Sequence, residues 1–207
     1  MNEALFLSKA AITRMCHDLA GVVGAVTNGL ELLGEEERID PETFDLVKEN
    51  ASVLFARTVF FRAAFGNEGP LTGAEAAERI LKGYLSSLEN RAARYSCEWH
   101  VDSGLPLFSF RLILLAAQLV AERMIKGGVL SVTAKAGENK ISVCGEGERI
   151  LALSGNDSFL SYTEGDYTSK DVARVFLAEH LCGLGWTAVC DTPREGVFGL
   201  VLTGSEV

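Results

Sequence analysis

Residues 12–33 read ITRMCHDLAGVVGAVTNGLELL. Ile12, Met15, Cys16, Leu19, Val22, Val23, Val26, Leu30 and Leu33 recur every three to four positions, the period of an amphipathic helix. The stretch therefore predicts a helix, and His17 lies on it. At about 100° per residue, the mean direction of the apolar stripe lies about 165° from His17. The imidazole should thus face away from the helix's own buried side. On the same side stand Ala10, Thr13, Ala20, Gly21, Gly24 and Asn28, nearly all small. A glycine inside a helix costs about 1 kcal/mol relative to alanine, and Gly21, Gly24 and Gly29 all fall within this one. Close approach of another surface to the His17 side would offset that cost. The plainer alternative is a surface histidine on a weakened helix.

The whole chain sets bounds on what this helix can serve. Its 207 residues, 48% of them hydrophobic, suffice for one or two domains with a real core. A net charge of −9 argues against nucleic-acid binding, which needs clustered Lys and Arg to neutralise phosphates. Cys16, Cys97, Cys144, Cys182 and Cys190 are odd in number and lie mostly among apolar residues, so they read as small core hydrophobes in a reducing compartment. There is no CxxC pair, and Cys182 with His180 lacks two further nearby ligands, so no zinc site is expected. No basic region followed by an apolar run stands at the N-terminus, and no segment reaches the roughly 18 apolar residues of a membrane span. The expected location is the cytoplasm, with no membrane partner.

The first helix is predicted from Asn2 or Glu3 to Leu33, ending at Gly34 and a polar turn at Glu35, Glu36 and Glu37. Asp40, followed by Pro41, is a good N-cap for a second helix. Its apolar set is Phe44, Val47, Ala51, Leu54, Phe55, Thr58, Phe61 and Phe65, and it ends near Gly66. Two long helices joined by a short polar turn form an antiparallel hairpin. Apolar surface is left over around Phe55, Val59, Phe60 and Phe61, which predicts pairing with a second copy into a four-helix bundle. Cover from the second half of the chain is the alternative.

Beyond Pro70 the pattern changes. Thr72 should cap a helix over 73–90, and residues 95–101 (YSCEWHV) alternate as a strand. A strongly apolar helix is predicted over 107–126, closed by Gly127 and Gly128. Strands over 129–136 and 140–144 flank a turn at Gly137, Glu138 and Asn139. An irregular stretch over 145–168, a helix over 169–182 and strands over 186–190 and 198–202 complete the chain. The expected fold is α+β: a helical hairpin over 1–68, then over 69–207 an α/β sandwich whose antiparallel or mixed sheet carries its helices on one face.

A hairpin with an exposed His-Asp pair on its first helix, ahead of such a sandwich, resembles the two halves of a sensor histidine kinase. The run Cys16-His17-Asp18-Leu19, with Gly24-Ala25 and Asn28-Gly29-Leu30-Glu31-Leu32, is similar to the ChpT-type histidine phosphotransferases of alphaproteobacteria, over essentially the whole chain. The kinases hold magnesium and phosphates through an Asn on the helix here placed at 107–126, and read adenine with an Asp in an Asp-x-Gly-x-Gly loop. That helix carries only Gln118 and Glu122 among Leu, Ala and Val, and the loop reads Val143-Cys144-Gly145-Glu146-Gly147. Leu181 to Trp186 (LCGLGW) is a poor phosphate loop, being short and apolar. The resemblance implies a degenerate ATPase-like domain without nucleotide.

It also implies that His17 takes a phosphoryl group from the receiver aspartate of a hybrid histidine kinase and passes it to a response-regulator receiver. Neutral imidazole is nucleophilic near pH 7. The chain needs no cofactor of its own, because the partner receivers bring the Mg²⁺ that neutralises the transition state. Asp18 is expected to hydrogen-bond the other ring nitrogen and fix the tautomer. An exposed carboxylate paired with Arg14 four residues earlier is the alternative. Thr13, Gly21, Gly24 and Asn28 form the expected receiver-docking face. Kinases of the pattern often continue with Arg and Pro where Ala20, Gly21 and Val22 stand, so their phosphatase control does not carry over. His100 and His180 read as structural. Two other functions remain open on the sequence: a diverged ATP-dependent sensor kinase, and a non-catalytic dimeric receiver-binding scaffold.

Overall fold

The computed structural model describes residues 3–35, 39–67, 69–151, 160–163 and 167–204. Helix α1 runs Glu3–Glu35 and helix α2 Pro41–Phe65, packed on each other as a hairpin. The 33 residues of α1 make a rod of about 50 Å. Asp40 caps α2: its Oδ2 accepts from the backbone N–H of Thr43 at 2.8 Å and from the Thr43 hydroxyl at 2.7 Å. Glu36 and Glu37 of the expected turn, and residues 152–159 and 164–166 of the irregular stretch, lie outside the described residues.

The rest of the chain forms α3 (Ala74–Leu88), β1 (Arg94–Val101), α4 (Leu107–Ala121), β2 (Gly127–Ala134), β3 (Lys140–Glu146), a 3₁₀ turn (Ser169–Asp171), α5 (Val172–Leu184), β4 (Trp186–Asp191) and β5 (Val197–Gly204). The five strands lie in the order β1-β2-β3-β5-β4, with β1 parallel to β2 and every other pair antiparallel. Helices α3, α4 and α5 cover one face of this mixed sheet, and β1 alternates exposed and half-buried residues as the sequence pattern requires. The architecture is the expected α+β.

Several boundaries differ from the sequence reading, three of them around α3 and α4. Gly73, not Thr72, is the N-cap of α3. Helix α4 ends at Ala121 rather than Lys126, because the following residues pair with 149–151: Met124 bridges Ile150, and the backbone N–H groups of Ile125 and Leu151 donate to the carbonyls of Arg149 and Arg123. Gly127 and Gly128 open β2 instead of closing that helix. Gly127 sits at φ +75°, where a Cβ would lie 1.8 Å from the carbonyl oxygen of Arg94, so β1 can approach only a glycine there.

The core is continuous from hairpin to sheet. Phe60, Phe61, Ala63 and Ala64 of α2 belong to one buried cluster with Leu81, Tyr84 and Leu85 of α3, with Leu112 to Leu115 of α4, and with the inner faces of β2, β3 and β5. Phe60 is fully buried and stacks on Tyr84 at a ring separation of 3.8 Å. This corrects part of the expected leftover surface: α3 and α4 cover Phe60 and Phe61 and half-bury Val59, whereas Phe55 stays 72% exposed. The cysteines also depart from expectation. All five are free thiols, Cys16 and Cys182 are exposed, and none is fully buried.

Candidate functional site

His17 projects from the middle of α1 with 84% of its side chain exposed, on the side the helical stripe predicts. Its Nδ1 lies 3.1 Å from Oδ1 of Asp18. An ionised carboxylate can only accept, so this contact favours the tautomer with the proton on Nδ1 and a bare lone pair on Nε2. No described residue engages Nε2.

Asp18 makes both contacts weighed for it, to His17 and to Arg14, but it is half-buried rather than exposed. While Oδ1 faces His17, Oδ2 accepts from Nε of Arg14, one turn earlier, at 2.6 Å. Only 20% of the Asp18 side chain is exposed. Its backbone carbonyl accepts from Nη1 of Arg57 on α2 at 2.8 Å, and Nη2 of the same guanidinium donates to the carbonyl of Ser87 at the end of α3 at 2.9 Å.

The network reaches the second half of the chain through Arg14, whose Nη2 donates to Oε1 of Glu122 at 2.8 Å. Oε1 of Glu122 also accepts from Nε2 of the buried Gln118 at 3.1 Å. Burial works against the charge of Arg14, but Glu122 and Asp18 outweigh it, and its pKa lies above the ordinary value. Burial likewise raises the Glu122 carboxyl, only partly opposed by Arg14. A cavity of about 350 Å³ opens behind Asp18, lined by Arg14, Arg57, Tyr84, Tyr95 and Glu122 among others. Burial, reinforced by the nearby Glu122, keeps the Tyr84 phenol protonated well above its usual range.

The expected docking residues share the His17 side of α1. Thr13, Gly21 and Asn28 are exposed, and Gly24 is half-buried. A Cβ on Gly21 or Gly24 would meet nothing within 4 Å. The close approach inferred from the glycines is instead found at Gly29, where a Cβ would stand 2.4 Å from Cγ2 of Val47 on α2. Arg57 and Glu122 were not foreseen as part of the site. They reach Asp18 and Arg14 across 39 and 108 residues, a distance no local pattern encodes. His100 is exposed on β1, and Nδ1 of His180 lies 2.8 Å from the carbonyl of Phe176. Neither approaches the network.

Residues 74–190, from the start of α3 into β4, match the model of the histidine phosphotransferase C-terminal domain. That is more than half of the chain. The chain belongs to the histidine phosphotransferase family. It is 46% identical over 67 residues to protein phosphotransferase ChpT of Brucella abortus (strain 2308), a match that spans 32% of this chain and only 32% of that relative. A solved bacterial phosphotransferase superposes with a TM-score of 0.77 at 21% identity, covering 96% of each chain, and so shares the fold. A blue-light activated histidine kinase of Erythrobacter litoralis EL346 is far less similar, with a TM-score of 0.46 at 13% identity over 91% of this chain and 59% of that one.

Proposed function

We propose that this histidine phosphotransferase family member is a phosphorelay shuttle with His17 as the phosphoryl carrier. The single observation that carries the reading is the exposed imidazole whose Nδ1 faces a carboxylate while Nε2 is open to solvent. In the reaction, the Nε2 lone pair attacks the phosphorus of a receiver's aspartyl phosphate; the N–P bond forms as the bond to the aspartate oxygen breaks, and the aspartate leaves as a carboxylate. The ring keeps its Nδ1 proton, and the Asp18 carboxylate stabilises the positive charge that the phosphorylated ring acquires. A second receiver aspartate then reverses the step. The donor is the receiver of a hybrid histidine kinase and the acceptor that of a response regulator. Mg²⁺ on the receivers neutralises the equatorial oxygens.

Thr13, Gly21, Gly24 and Asn28 form the proposed receiver dock, since the open space beside the two glycines admits a receiver element close to the α1 backbone. The second half of the chain acts without ATP. Val143 is fully buried in β3 where the resembled kinases place the adenine-reading aspartate, and α4 has no Asn, its buried Gln118 being engaged by Glu122. A Cβ at Gly145 would lie 2.6 Å from Sδ of Met124, so the strand end is packed against the α4 terminus. The shuttle works as a homodimer in the cytoplasm.

The test is phosphate transfer from a ³²P-labelled receiver to the purified chain. Acid-labile, base-stable label should appear on the wild type and be absent from His17→Gln. Label acquired from ATP and Mg²⁺ alone would replace the shuttle by a kinase, and undiminished receiver-to-receiver transfer by His17→Gln would leave only a scaffold.

A further inference from the structure

Resting on His17 as the phosphoryl acceptor, we infer that Arg14 and Glu122 are positioning residues: through them the second half of the chain turns Asp18 toward His17 and thereby sets the tautomer of the reacting imidazole.

Neighbouring residues on a helix diverge by about 100°, so side chains at i and i+1 do not naturally face each other. The His17–Asp18 contact at 3.1 Å therefore needs the Asp18 carboxylate to be held to one side. Arg14, one turn earlier on the Asp18 face, supplies the hold at 2.6 Å on Oδ2, which leaves Oδ1 toward the imidazole. Arg14 in turn is not a free arm. Its second nitrogen is fixed by Glu122, which caps α4 and is braced by Gln118, a side chain 1% exposed within the most deeply buried helix of the molecule. The guanidinium fork is what permits this bridge, because Nε and Nη2 address two carboxylates at once; an ammonium offers no such rigid pair. Arg57 pins the backbone of the same turn to α2 and α3, so the remaining freedom lies in the Asp18 side chain. A second domain without ATP chemistry thus has a task at the phosphoacceptor: it supplies the anchor of the chain Gln118–Glu122–Arg14–Asp18–His17.

The experiment compares wild type, Arg14→Gln, Arg14→Lys, Glu122→Gln and the Arg14→Gln/Glu122→Gln double variant in single-turnover transfer from a phosphorylated receiver. The same proteins, ¹⁵N-labelled on histidine, report the His17 tautomer by NMR, with His17→Gln assigning the signals. Arg14→Gln should slow transfer roughly tenfold, the low end of what losing an orienting partner costs at a functional histidine. Arg14→Lys should fail to rescue it. Glu122→Gln should slow transfer less, and the double variant no more than Arg14→Gln, since the two residues act in series. In each slowed variant the His17 ¹⁵N shifts should move toward tautomer averaging. Rates within twofold of wild type with unchanged ¹⁵N shifts would overturn the inference, as would additive losses in the double variant. If Arg14→Gln does not fold, the near-isosteric Glu122→Gln decides alone. Loss of transfer in His17→Gln with normal Arg14 variants would sink only this inference, whereas persistent transfer in His17→Gln would sink the carrier itself.

Discussion

Asp18 divides its two oxygens between an imidazole and a guanidinium, and the charge balance around it depends on a carboxyl on another helix. Folding raises the pKa of Glu122, chiefly because burial disfavours the charged form more than Arg14 and Gln118 favour it. The groups that act on it are Arg14 from α1, Gln118 from α4 and, more distantly, Asp18, and the Tyr84 phenol of α3 lines the same cavity. The sign follows by linkage. As pH falls from neutrality, the folded chain protonates Glu122 before the unfolded chain does, so this group's contribution shifts in favour of folding, and the shift is complete below the unfolded value of about 4.3. At pH 7 the charged Glu122 carries its full penalty. Glu122→Gln, which mimics the neutral form, should therefore be more stable than wild type at pH 7 in urea denaturation, with the difference shrinking toward pH 4. A pH-independent difference would contradict the assignment. Its stability should rise while its transfer rate falls, which separates positioning from a folding defect.

At the scale of the element, the glycines of α1 sit in two different surroundings. At Gly29 an added methyl would strike Val47 Cγ2 at 2.4 Å, and a β-branched side chain on a helix has almost no rotamer to yield into. Gly29→Ala should force the hairpin apart and cost about 1–3 kcal/mol, the range for overpacking a fitted contact. Gly21→Ala and Gly24→Ala meet open space and should each gain up to about 1 kcal/mol of helix stability. If the glycines serve receiver docking, the same two substitutions should slow phosphotransfer while raising the melting temperature; faster or unchanged transfer would remove them from the dock. The helices themselves were legible in the sequence because their period is local: the His17 direction, the Asp40 cap and the α2 end at Phe65 all follow from residues within a few turns. The α4 boundary was not, since its apolar run continues through Met124 and Ile125, which leave the helix to pair with the distant Ile150 and Arg149.

In the whole molecule, a single core welds the end of the hairpin to the sandwich, and this is why the apolar face of α2 had to be read in two halves. Near its C-terminus Phe60 and Phe61 are buried by α3 and α4, while Phe44 and Phe55 stay open at 49% and 72%. Alternation and helical period reveal that a face is apolar but not which neighbour covers it, just as they could not reveal that Glu122 comes to Arg14. On α1 the exposed apolar residues Leu5, Ile12, Val23 and Leu30 are spaced by seven and eleven, intervals that keep side chains on one line of a helix. That line lies about 130° from His17. A second copy packed along it, with Phe44 and Phe55 joining the seam, would leave the imidazole accessible, and each Leu, Ile or Phe fully withdrawn from water would contribute about 1.5–3 kcal/mol. The chain should therefore sediment as a dimer. The Leu30→Glu/Phe55→Glu variant should sediment as a monomer with unchanged helical circular dichroism, because neither side chain is needed by the core of the single chain. A wild-type monomer at every accessible concentration would refute the bundle, and a dimer that survives both charges would move its seam to another face.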